Sequence, residues 1–152
     1  MSQLRELSTP FTGPFIDKTP GKGSAEYVSH STVNERALSV VGAHSFEVVE
    51  LIRGYAPEMK TTSKTWPARD DAVVGCLARL TCTVDGEQVS VVEVGDVDNP
   101  AMNLDGSNAK NAASDAYKRC WMRLGLGLHL WSQDRYFLDR QLDKAAADVS
   151  TK

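Results

Sequence analysis

The strongest period in the chain lies between Asp105 and Leu124. At about 100° per residue, Ala109, Ala113, Ala116, Tyr117, Cys120 and Leu124 fall within one apolar arc, and Lys110, Ser114, Asp115, Lys118, Arg119 and Arg123 occupy the other side. The spacing predicts a long central helix with one face on a core and a cationic face turned away. Asp105 and Ser107 are N-cap types, the run from Ala109 to Ala116 is rich in the best helix former, and Gly125 and Gly127 supply the stop. Asp115 precedes Arg119 by four residues, the spacing at which a carboxylate meets a guanidinium along a helix.

A period of two replaces this pattern upstream. From Ala72 to Val84, Val74, Cys76, Ala78, Leu80, Cys82 and Val84 share one face, while Gly75, Arg79, Thr81 and Thr83 share the other, which predicts a strand with one wet face. Asp85-Gly86 is a two-residue hairpin signal, and Glu87 to Val94 returns as the partner strand. The Val- and Ile-rich run Phe46 to Arg53 predicts a further strand. Gly95 to Gly106 reads as a turn-rich connector into the central helix.

Other segments flank this β-β-β-α core. Tyr27 to Gly42 predicts a short helix, with Ser31 or Thr32 as cap, Glu35 placed for a capping box, and Val33, Ala37, Leu38 and Val41 at helical spacing. Gly54 to Asp71 has no clear period and predicts a long loop, of the kind that is usually functional. It contains Trp66 and Tyr55 together with Lys60, Lys64 and Arg69, a second basic patch. Trp131 to Val149 predicts a polar, alanine-bearing C-terminal helix. Residues 1–26, with Pro10, Pro14, Pro20, Gly13, Gly21 and Gly23, show neither period and predict an extended or partly disordered arm. The expected class is α+β: an antiparallel β-β-β sheet packed by a long central helix, with short N- and C-terminal helices.

Length and charge narrow what such a fold does. At 152 residues and 41% hydrophobic content the chain is expected to form one core. No run approaches about 18 apolar residues and no secretory pattern opens the chain, so a cytoplasmic location in the host cell is expected. Net charge is −3, which argues against a protein coated by nucleic acid over its whole surface, but five of the 17 Lys and Arg residues lie between Lys110 and Arg135. A localised groove remains consistent with that sign.

Catalytic and metal patterns are missing. Cys76, Cys82 and Cys120 are widely spaced without CxxC, and read as buried reduced thiols. His30, His44 and His129 have no ligand spacing, and Ser29 and Ser31 beside His30 lack the glycines of a nucleophile elbow. Gly125 and Gly127 close a helix, out of context for a dinucleotide loop, and no GxxxxGK[ST] phosphate loop exists. Asp85, Glu93, Asp96 and Asp98 cluster about the hairpin without a nearby strand lysine, so turn chemistry explains them better than a metal-dependent nuclease. No catalytic residue, metal or cofactor is expected. Trp121, at the border of the apolar arc, reads as a packing residue or a subunit contact more than a base-stacking platform.

The run from Gly75 to Trp131 is specific. Its valine-rich hairpin, the VGD of Val94 to Asp96, the polar connector, then Lys110, Ala112 to Ala116, Lys118-Arg119, Leu124-Gly125 and Leu128, resembles the annealing domain of the Rad-fifty-two family of single-strand annealing proteins. The stretch ASDAYKR is its most characteristic piece, and the likeness spans residues 27–137. The resemblance implies one annealing domain over residues 27–152 in a compact, phage-type form. It also implies a ring or helical filament of copies, a basic groove for single-stranded DNA, and annealing of complementary strands without ATP. A phage or host single-strand-binding protein or exonuclease is a candidate partner. The family's Lys-Arg pair matches Lys118 and Arg119, and Lys110 matches a basic position. Met122 stands where the family often has arginine, with Arg123 next to it. With the loop cations, the expected DNA-contacting set is Lys118, Arg119, Arg123, Lys110, Lys60, Lys64 and Arg69. The alternative is an oligomeric scaffold, or a general nucleic-acid-binding module without annealing activity.

Overall fold

Asp85 and Gly86 both take positive φ, 51° and 84°, the turn whose twist matches the strands it joins. The computed structural model describes residues 2–20 and 25–151, so Gly21 and Gly23 of the arm lie outside the described residues. In chain order the elements are α1 (Gln3–Ser8), β1 (Asp17–Lys18), β2 (Glu26–Tyr27), α2 (His30–Val41), β3 (Ser45–Ala56), β4 (Met59–Lys60), β5 (Thr65–Trp66), β6 (Arg69–Val84), β7 (Glu87–Asp96), α3 (Asp105–Met122), α4 (Leu128–Ser132) and α5 (Leu138–Ser150). The α+β expectation, a three-stranded antiparallel sheet with a central helix and short flanking helices, holds. The chain forms two compact units, one of Ser45–Thr81 and Ser90–Cys120, the other of Met1–His44, Cys82–Val89 and Trp121–Lys152.

The first unit is the sheet, in the order β3-β6-β7, with α3 on one face. Phe46 pairs with Leu80, Val48 with Ala78 and Leu51 with Cys76. Cys76 and Ala78 meet Ala112 and Ala116 of the helix in a fully buried cluster flanked by Phe46 and Val97, and Phe46 meets Tyr117 edge to face at 5.1 Å. Ala112 and Ala116 are small where the helix crosses Gly95: a Cβ built there would lie 2.0 Å from the Ala112 carbonyl oxygen. The helix therefore buries Asn108, Ala112, Ala116, Tyr117 and Cys120, while Ala109 and Ala113 of the expected arc are only half-buried. Asn108 is tolerated inside because its amide donates to the Pro100 carbonyl at 2.9 Å. On the other face of the sheet Ile52, Val92 and Val94 are exposed.

Residues expected to form a long loop are mostly strand. β3 runs on to Ala56, β6 starts at Arg69, and β4 and β5 pair between them. Most residues there are exposed on both sides, so burial imposes no alternation that the sequence could show.

The second unit gathers the chain ends. The arm is not extended throughout: α1 buries Leu7, the Ser2 hydroxyl accepts from the Arg5 N–H at 3.1 Å, and the Asp85 carboxylate accepts from the N–H groups of Gln3 and Leu4 at 2.6 and 3.3 Å. A helix of six residues is too short to display a period. Arg5 pairs bidentately with Asp143 of α5, at 2.5 and 3.0 Å, and holds that carboxyl below its ordinary range. Arg36 of α2 lies 3.8 Å over the Phe11 ring and donates to the Thr9 carbonyl. Helix α2 is capped by Ser29, two or three residues earlier than expected, and Leu38 is exposed while Val33 and Ala37 are buried. The C-terminal helix is broken: Gln133 at φ 51° separates α4 from α5.

His129 packs between Phe11 and Tyr136, at ring distances of 5.9 and 6.1 Å, and neither ring nitrogen has a hydrogen-bond partner among the described residues. Burial first, then the Arg36 guanidinium, push its pKa below the ordinary value against the pull of Glu26 and Asp139. The folded chain thus favours neutral imidazole. Below the unfolded value of about 6.5 the unfolded chain takes up the proton first, so stability is full above that pH and falls as pH drops beneath it. Urea melts across this window should show that decline, and His129→Gln should flatten it; an identical slope in the variant assigns the decline to another group.

Candidate nucleic-acid interface

Helix α3 carries its polar residues in two neighbouring rows four residues apart, Lys110-Ser114-Lys118 and Asn111-Asp115-Arg119. Lys110 and Asn111 are exposed; Ser114, Asp115, Lys118 and Arg119 are half-buried. The expected pairing of Asp115 with Arg119 is present: Arg119 Nε donates to Asp115 Oδ2 at 3.0 Å, and the same oxygen accepts from the Asp96 N–H at 3.1 Å. The end of β7 therefore fixes Asp115, and Asp115 fixes the guanidinium. Arg119 is held on a rigid element with its direction set, the arrangement that lowers the entropy lost when it meets an anion.

The remaining expected residues are placed differently. Arg123 falls past the last helical residue, Met122, in the turn leading to Gly125 at φ 92°. It does not extend the α3 rows. Arg69, at the start of β6, donates to Asp105 Oδ1 at 2.5 Å and to the Asn103 carbonyl at 2.9 Å, so its guanidinium ties the sheet to the start of α3. Lys60 and Lys64 lie together on the small hairpin of β4 and β5.

Asp105 organises that end of the unit. It is the first residue of α3 and does not cap it as expected. Its carboxylate accepts from the Val73 N–H at 3.2 Å, from Arg69, and from Arg53 Nη2 at 3.0 Å, and these donors, the backbone N–H first, hold its pKa below the ordinary value. Arg53 also donates to Asp71 at 3.1 Å. The sequence placed Arg53 in a strand without singling it out; only the register that sets it opposite Val73 brings it to Asp105.

The three cysteines are free and buried, and burial pushes the Cys76 and Cys82 thiols up, away from reactivity. No helix among the described residues is long and apolar enough to cross a membrane.

An antiparallel three-stranded sheet crossed by one long helix, whose outer side presents a Lys-Arg pair, defines the architecture. The family model of the Rad52/22 family double-strand break repair proteins matches residues 2–148, nearly the whole chain. The chain belongs to that family, and so to proteins of DNA repair and recombination. No individual curated protein matches it.

Proposed function

We propose that this protein binds single-stranded DNA along the outer side of α3 and anneals complementary strands without nucleotide hydrolysis, as an oligomer with a basic groove. The observation that carries the reading is the adjacent Lys118 and Arg119, with Arg119 oriented by Asp115, on a helix seated directly on the sheet in a chain of this family. Sequence-independent annealing requires a grip on phosphate and sugar that leaves base edges free to pair, and fixed cations on a rigid helix provide that grip. Lys110 extends it along the same row. Few cations per protomer suffice if many protomers share one strand.

Self-association is supported by β3. It is an edge strand of 12 residues that exposes Val48, Val49, Leu51, Ile52 and Tyr55, and such an edge invites pairing with another chain.

The test is fluorescence anisotropy of a labelled oligo-dT strand across a salt series, wild type against Lys118→Ala/Arg119→Ala, with oligomer size checked for both. Wild type is expected to bind with log affinity falling linearly in log salt. The double variant should bind at least about tenfold more weakly, with a slope shallower by about 1.4, the value for two lost phosphate contacts on a single strand. A well-assembled wild type that does not bind, or binds without salt dependence, would overturn this reading in favour of a protein scaffold.

A further inference from the structure

The second unit holds an open cavity of about 880 Å³, a size that suits a small molecule. One wall is the β1-β2 hairpin, where Lys18 and Glu26 stand directly opposite in register. Cross-strand neighbours of opposite sign gain by pairing, yet neither side chain makes an ion pair or hydrogen bond with a described residue. The other wall runs from the end of α4 into α5. Gln133 and Asp134 present an amide and a carboxylate there, again without a side-chain partner among the described residues. Arg140 Nη2 donates to the Tyr136 carbonyl at 3.0 Å, which steadies the guanidinium on the same wall. Pro10, Leu130 and the rings of His129 and Tyr136 line the space with apolar surface.

One wall residue is strained. Gln133 holds φ 51° and ψ −133°, a conformation that costs a residue with a Cβ about 1 to 3 kcal/mol. Strain of that kind collects at ligand clamps, and here it carries an amide that the described protein leaves unbonded.

The polar groups divide into complementary sets around an apolar middle. Lys18 and Arg140 only donate, Glu26, Asp134 and Asp139 only accept when ionised, and Gln133 does both. A matching ligand has a flat apolar body, hydroxyl or amino donors for the carboxylates, and acceptors for the amide and the cations. Adenosine has that make-up, with its base for the apolar surface, its sugar hydroxyls and amino group for the carboxylates, and a 5′-phosphate for Lys18 and Arg140. Three carboxylates against two cations leave no surplus of positive charge for a triphosphate. We propose that this cavity binds a purine nucleoside or its monophosphate. The site is separate from α3, and the strand-binding reading neither supports nor requires it.

Isothermal titration calorimetry and thermal melts of the full chain with adenosine, AMP and inorganic phosphate decide it. Adenosine or AMP should bind at one site and raise the melting temperature, and the tighter of the two names the form of the ligand; phosphate alone should do neither. Asp134→Asn should weaken binding of either about fivefold or more, and Lys18→Ala should weaken AMP about fivefold while leaving adenosine unchanged. Gln133→Gly relieves the strain and removes the amide, so it should melt at or above wild type while binding at least about threefold more weakly. A merely structural turn would not give that combination. No heat and no melting shift with millimolar adenosine and AMP, binding that all three variants leave intact, or phosphate acting as well as AMP would overturn the assignment.

Discussion

Replacing Gly95 by alanine is expected to destabilise the protein by about 3 kcal/mol or more and to lower its melting temperature by roughly 6 to 12 °C. The added Cβ would sit 2.0 Å from the Ala112 carbonyl oxygen and 2.7 Å from the Ala116 nitrogen. Both are backbone atoms of α3, so no side-chain rotation relieves the clash, and the cost belongs at or above the upper end of overpacking. Either β7 bends or the helix lifts, and a lifted helix opens the cluster of Cys76, Ala78, Ala112 and Ala116. The same movement separates Asp96 from Asp115, so Arg119 loses the anchor behind its own anchor. Strand affinity should therefore fall with stability. Gly13→Ala is the control: its added Cβ meets nothing within 4 Å and it lacks a positive φ, so it should melt like wild type. Thermal unfolding followed by circular dichroism checks both, and a Gly95→Ala protein with wild-type melting would show that the helix does not rest on this strand as described.

The same contact explains what the sequence could and could not disclose. Residues 76–84 alternate legibly because one side of β6 is buried there and the other is half-buried or exposed, whereas Val73 and Gly75 are buried on the side expected to be wet; the Asp85-Gly86 turn is written in two residues whose positive φ few others accept. Helix α3 is legible as a helix, but its seat is ambiguous: alanines stand at 109, 112, 113 and 116, so two neighbouring arcs are equally apolar. Gly95, on another element, selects Ala112 and Ala116, and Asn108 enters the core only because Pro100 offers a carbonyl. Helix α1 depends on a carboxylate at position 85, more than 80 residues away in sequence, and no local pattern can announce it. Lys118, Arg119 and Asp115 could be grouped from helical spacing alone. The retention of Arg69 and Arg53 by Asp105 could not, since it follows from strand register.

Trp121→Ala should be the costliest truncation in the second unit, about 3 to 5 kcal/mol, or roughly 6 to 20 °C in melting temperature. Trp121 is 0% exposed and is the largest of the fully buried side chains. His44 packs on it edge to face at 5.1 Å, with the His44 Nδ1 in turn 3.0 Å from the Gly42 carbonyl oxygen where α2 ends. An indole so enclosed has no face to offer a base, although it follows the Lys-Arg pair by only two residues. The distinction is measurable with Trp121→Leu, which keeps apolar bulk and removes the ring. Assayed below its own melting temperature, that variant should hold oligo-dT as wild type does while melting lower. Base stacking is worth about 1 to 3 kcal/mol per base, so a fivefold or greater loss of affinity with unchanged melting would instead make Trp121 a stacking platform and require the end of α3 to open on binding. With the indole sealed in the core, the proposed reading draws affinity from Lys118, Arg119 and the row they extend, and salt should then modulate binding far more than base composition does.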